Sequence, residues 1–176
     1  MTPWQLAKET EHSHQRAFFA WANCAAHFGF DVALVAGGYS EGLRTILYQE
    51  MARGGWKPSP VVSSLAFMFA IPNGGSRGDD AKTRAIRGGQ MKAEGVKSGA
   101  PDVLLPVTNS FAGLFLEFKK PSAKPKKAGA GGVREEQSDY HTFLRGQHYR
   151  VEVVYSWIEA ANMVMDYMGE QTRIPS

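Results

Sequence analysis

Two acidic residues and a lysine sit where hydrolytic chemistry would need them. Pro101-Asp102 opens one strand-length apolar segment, and Glu117-Phe118-Lys119 closes the next. The segments Asp102 to Val107 and Leu114 to Lys120 are joined by the short loop Thr108 to Gly113, which predicts an antiparallel hairpin. In such a hairpin the start of the first strand lies beside the end of the second, so Asp102 and Glu117 converge. Strand alternation puts Leu114, Leu116 and Phe118 on one face and Phe115, Glu117 and Lys119 on the other. Neighbouring carboxylates repel unless a cation lies between them, and hard oxygen donors select Mg²⁺ or Mn²⁺ over zinc. The carbonyl of Phe118 could add a neutral ligand, and Glu11 could add a third carboxylate or act through water. Such a metal acidifies water and offsets charge building on a phosphoryl group, while Lys119 orients the water or stabilises that charge. This is equipment for phosphodiester hydrolysis. A lone Glu-x-Lys on a strand is more often a surface ion-pair face; the added Asp102 and Glu11 make the set more specific.

The elements that would position these residues follow from periodicity and punctuation. Phe18, Trp21, Ala22, Ala25 and Phe28 recur at helical spacing before Gly29 and predict a helix from Gln5 to Phe28, with Gln15 and Glu11 extending the same face. Gly42 to Arg53 reads as a second helix and Leu65 to Ile71 as a strand, with 31–60 an insertion. Asp79 to Arg87 and Gln90 to Glu94 read as short helices separated by Gly88-Gly89. Residues 121–134, rich in Lys, Gly, Ala and Pro, read as a mobile basic loop. Glu135 to Arg145 predicts a helix with Tyr140, Phe143 and Leu144 inward and Gly146 as its cap. A strand from Tyr149 to Tyr155 follows, then a helix that Ser156 and Glu159 open with a capping box and Gly169 ends. The expected fold class is α/β: a central mixed β-sheet flanked by helices in a single domain over 1–176.

Composition sets the outer bounds. Forty-three per cent hydrophobic and 21% charged residues in a chain of 176 match a folded domain rather than a disordered one. The longest apolar run is too short to span a bilayer, the first residues lack the order of a signal peptide, and the one cysteine, Cys24, excludes an internal disulfide. These features predict a soluble cytoplasmic protein. The net charge of +3 is too small to establish a polyanionic partner, but its distribution is uneven. Arg77, Lys92 and Lys97, then Lys120, Lys124, Lys126 and Lys127, form two basic stretches that are either solvated loops or a phosphate-facing groove. Pro72-Asn73-Gly-Gly is most simply a turn, yet with Arg77 beside it backbone N–H groups could hold a phosphate. Val96 interrupts the Gly-Lys-Ser order that a phosphate loop requires. His12 and His14 read as solvent-facing, and Gln15 and Gln137 either as structural amides or as groups orienting water near a metal.

Taken together, Glu11-His-Ser-His-Gln15 with Trp21, Ala70 to Arg77, Lys92 to Asp102, Gly113 to Pro121 and Gln137 resemble a VRR-NUC (virus-type replication-repair nuclease) domain of the PD-(D/E)xK superfamily, over residues 9–21 and 70–158. The resemblance implies a restriction-endonuclease-like core, divalent-metal nuclease activity, and a homodimer acting on branched DNA such as Holliday junctions. By it, Glu11, Asp102 and Glu117 are metal or water ligands, Lys119 is the catalytic lysine and Gln137 a supporting active-site residue. The chain departs from the compact pattern at 31–60 and 121–134. A non-catalytic nucleic-acid-binding module, and an ordinary soluble domain with an exposed Glu-x-Lys strand, are the alternatives.

Overall fold

The computed structural model describes residues 10–30, 32–33, 49, 53, 59–72, 81–125, 135–171 and 173–174. Among them four strands form one mixed sheet in the order β1 (Phe69–Ala70), β2 (Val103–Leu105), β3 (Leu114–Phe118), β4 (Arg150–Val154). β1–β2 and β2–β3 are antiparallel and β3–β4 parallel. The expected hairpin is present, with Val103 opposite Leu116 and Leu105 opposite Leu114. The parallel return from β3 to β4 requires a crossover, which contains the helix Glu135–Gly146. The α/β class with a mixed sheet flanked by helices is therefore the observed one.

Two helices cover one sheet face. α1 (Glu11–Phe28) and α5 (Trp157–Tyr167) pack on Leu114, Leu116 and Phe118, whose side chains share a core with Phe18, Trp21 and Val164. The ring centroids of Phe18 and Phe118 lie 5.6 Å apart, tying α1 to the end of β3. Removing an aromatic of this kind costs about 3–5 kcal/mol. On the opposite face, Phe115 and Val151 meet Leu144 of α4 (Glu135–Gly146), with Tyr140 and Tyr149 against them. The alternation expected for β3 thus divides its side chains between two cores, and all five of its residues are buried.

α1 begins at Glu11, not Gln5. Thr10 is extended (φ −140°), its side chain accepts the N–H of Ser13, and the Ser13 hydroxyl accepts the N–H of Thr10. This reciprocal cap sets the start. The expected strand Leu65 to Ile71 contracts to Phe69–Ala70. Ser59 caps a short helix, α2 (Pro60–Ser63), with Pro60 in its first turn, and a 3₁₀ turn follows over Ser64–Phe67. Gly88-Gly89 does not divide the next segment: α3 runs unbroken over Ala81–Ala93. Each glycine there costs only about 1 kcal/mol against alanine, less than a break requires.

In α4, Leu144 is buried and Tyr140 half-buried, but Phe143 is 60% exposed. The inward face is set by Gln137, His141 and Leu144, one turn apart, and Phe143 lies off it. Nor is Gly146 the cap. His148 takes the left-handed conformation (φ 67°), its N–H donating to the Arg145 carbonyl and the Tyr149 N–H to that of Leu144. Pro121–Ala123 forms a 3₁₀ turn. The expected helix 42–53, the turn with Asn73 and Arg77, and the loop at 126–134 with Lys126 and Lys127 lie outside the described residues, save Gln49 and Arg53. No helix among the described residues is long and apolar enough to cross a membrane.

Candidate active site

β3 delivers the acid at the centre of the site. Glu117 is 2% exposed, the one buried carboxylate among the described residues. Its Oε1 accepts from Lys119 Nζ at 2.7 Å and from the amide of Gln137. The Gln137 Oε1 in turn accepts from Lys119 Nζ at 2.9 Å, closing a triangle of acid, base and amide. Oε2 of Glu117 has no hydrogen-bond partner among the described residues. Burial pushes the Glu117 carboxyl up to about 7, and the charge of Asp102 adds to the rise, against the opposing bonds from Lys119 and Gln137.

Asp102 reaches the same place from the start of β2. The Asp102 N–H donates to the Leu116 carbonyl at 3.0 Å, and its Oδ2 accepts the N–H of Phe118 at 2.8 Å. This second contact fastens the aspartate to the residue between Glu117 and Lys119. Glu11, at the first turn of α1, accepts the N–H of Lys120 through Oε1 at 3.3 Å. The structure therefore brings together Asp102, Glu117, Lys119 and Gln137, with Glu11 at their edge. Among the described residues, no three His, Cys, Asp or Glu side chains converge as a ready-made metal cage. The carboxylates form a pair and an outlier.

The pair still fits a hard divalent cation. A desolvated carboxylate oxygen without a partner is costly, and a second carboxylate beside it increases the repulsion; an oxygen-seeking cation would relieve both. Asp102 and Glu117 would hold it, with the Phe118 carbonyl and Glu11 as further oxygens nearby in sequence or space.

The turn before β2 and the start of α4 are locked together. Gly99 has φ +83°, and a Cβ built on it would lie 2.5 Å from the carbonyl oxygen of Glu136. Ser98 Oγ donates to the Glu136 carboxylate at 2.5 Å. Asp102 lies three residues after this contact and Gln137 one residue after it. Gly99→Ala is expected to lower stability by about 2 kcal/mol or more, through left-handed strain and the clash. Urea unfolding would measure it, with any cleavage activity falling as Gln137 shifts.

Two histidines are buried, one of them against its sequence expectation. His14 is not solvent-facing but buried, its Nδ1 accepting the Trp157 N–H at 3.2 Å at the start of α5. Burial lowers its pKa, partly opposed by Glu159. His141, one turn beyond Gln137, is also buried, with Nε2 unpartnered among the described residues; burial and the charges of Arg145 and Lys119 lower its pKa. It is a neighbour of the site that sequence reasoning passed over. Its four-residue spacing from Gln137 was the available signal.

Of the basic residues, Lys92, Lys97 and Lys120 are exposed. Lys124 is exposed but engaged, paired with the Glu159 carboxylate and 6.0 Å from the ring centroid of Tyr155. No protein-family profile matches the chain, and no curated protein is similar to it. Among solved structures it is similar to a VRR_NUC domain protein, with a TM-score of 0.45 and 18% identity over 73% of this chain and 87% of that one. A likeness of that size assigns neither activity nor site residues to this chain.

Proposed function

We propose that the protein is a divalent-metal-dependent DNA endonuclease that hydrolyses phosphodiester bonds, with branched DNA as its substrate. The observation that carries this reading is the buried Glu117, its Oε2 unpartnered among the described residues, set against Asp102 and braced by Lys119 and Gln137. When bound, Mg²⁺ or Mn²⁺ supplies charge neutralisation at the phosphoryl group and makes water more acidic. Asp102 and Glu117 would hold it, and Glu11 would act from the edge through water.

The remaining work falls to the chain's own groups. Lys119 lies beside the carboxylates, and a lysine ammonium has three donors, two of which here reach Glu117 and Gln137. The third is available to a water or a phosphoryl oxygen. Gln137 donates to Glu117 and accepts from Lys119, so the amide fixes the separation of acid and ammonium. Burial keeps bulk water from screening these charges. Exposed Lys92, Lys97 and Lys120 supply phosphate contacts, as would Asn73, Arg77, Lys124, Lys126 and Lys127, and two copies would act together on a two-fold junction.

Titrating Mn²⁺ into the protein with linear, flapped and four-way DNA tests the reading. Strand cutting that requires the metal and favours the branched forms is the expected result. Binding that EDTA leaves unchanged, without cutting at any metal concentration, would instead identify a non-catalytic nucleic-acid-binding module. Sedimentation with and without four-way DNA checks the homodimer.

A further inference from the structure

A cleft of about 550 Å³ opens beside Asp102, between α1 and the β1 segment. Its helical wall presents Gln15, Arg16, Phe19 and Asn23, spaced by one, three and four residues on one face of α1. The facing wall, Ala70 to Pro72, is apolar. Glu117 does not line it, so the cleft is a separate compartment that shares only Asp102 with the acid cluster.

We propose that this cleft receives an unpaired nucleotide of the DNA, next to the bond that the neighbouring site cuts; this rests on the nuclease reading above. The volume lies within the range of about 300–1,000 Å³ typical of small-ligand sites, which suits one nucleotide and not a duplex. Phe19 is half-buried and held edge-on by Phe18 at 5.7 Å and 66°, a fixed aromatic surface on which a base can stack. Gln15 and Asn23 stand one turn to either side of it. Each amide offers both donors and an acceptor, matching the mixed edge of an exposed base, and neither side chain has a hydrogen-bond partner among the described residues. In a duplex that edge is already paired.

Charge agrees with this occupant. Asp102, part of the lining, opposes a free anion in the cleft, whereas a nucleobase is neutral. Arg16, exposed and part of the lining, offers a guanidinium to the phosphate. The apolar wall contributes contact area for the other face of the base.

The test uses the full chain and DNA carrying a single 2-aminopurine, placed in an unpaired flap or at the same position within a duplex. In EDTA, which prevents cutting, binding of the flap is expected to change the probe's fluorescence, and binding of the duplex is not. Gln15→Ala and Asn23→Ala are each expected to weaken flap binding roughly tenfold, with duplex binding changed less than about twofold. Phe19→Leu should abolish the fluorescence change; because Phe19 also touches the core, the two amide variants decide the matter if it misfolds. Equal losses on both DNAs, no loss on either, or no binding of either DNA would overturn the proposal. Cutting of the same DNAs by the unaltered protein in Mn²⁺ is scored separately. Cutting with an inert cleft removes this inference alone, and no cutting of any DNA removes the nuclease reading.

Discussion

Lys119→Ala and Asp102→Ala are each expected to reduce Mg²⁺- or Mn²⁺-dependent DNA cleavage by about a hundredfold or more, the scale of removing one preorganised electrostatic contact. The two changes act on different parts of the same cluster. Without Lys119, Glu117 and Gln137 lose the ammonium that both contact. Without Asp102, the Phe118 N–H loses its acceptor and Glu117 loses its neighbouring charge. Neither side chain belongs to the aromatic core, so circular dichroism should show an intact fold. The metal dependence separates the variants: Asp102→Ala should demand more Mn²⁺ for half-maximal rate, and Lys119→Ala should not. Undiminished cleavage by both purified variants would exclude this cluster as the active site.

The second large effect is on stability. In EDTA, the protein is expected to lose about 3 kcal/mol relative to Glu117→Gln as the pH is raised from 4.5 through 7. Folded Glu117 holds its proton up to about 7, against 4.5 as its ordinary value. Between those values the folded state binds more protons than the unfolded one, so stability falls with rising pH and levels off above 7. About 1.4 kcal/mol per pH unit gives the total. The buried histidines act oppositely. His14 and His141 are lowered, so the stability they contribute is present above 6.5 and lost as the pH falls. Comparison with Glu117→Gln cancels them. Because a carboxylate must be ionised to bind a cation, Mg²⁺ or Mn²⁺ should raise the melting temperature more at pH 8 than at pH 6. An equal rise at both, or one as large in Glu117→Gln, would place the cation elsewhere.

The sheet was legible where pattern and punctuation agreed. Pro101 and Gly113 stand just before the two hairpin strands, and a period of two assigns Leu116 to one face and Phe115 to the other. That same period placed Glu117 and Lys119 together. What alternation could not supply was the depth of Glu117, since burial depends on α4 returning over the sheet from a distant part of the chain. Gln137 entered through family resemblance, and its bonds to Glu117 and Lys119 are a property of that return. Local signals failed where a weak preference met a stronger context. Gly88-Gly89 lies inside a helix of otherwise helix-favouring residues, and Ser59-Pro60, a helix start by its chemistry, was outweighed by the apolar run behind it. His14 was read as polar and therefore outward, although it sits one turn before the buried Phe18.

β3 is paired on both edges and buried at every position, whereas β1 contributes two residues at the margin of the described sheet. Amide hydrogens along β3 should therefore exchange only when the whole domain opens, and those of β1 through small local excursions. On the nuclease reading proposed above, the acid at Glu117 would meet its substrate already set in place, with little reorganisation left to perform. In the cleft beside Asp102 the wall at Ala70 to Pro72 is expected to yield before the helical wall of α1, so that a base taken up there, as proposed, would leave the acid cluster undisturbed.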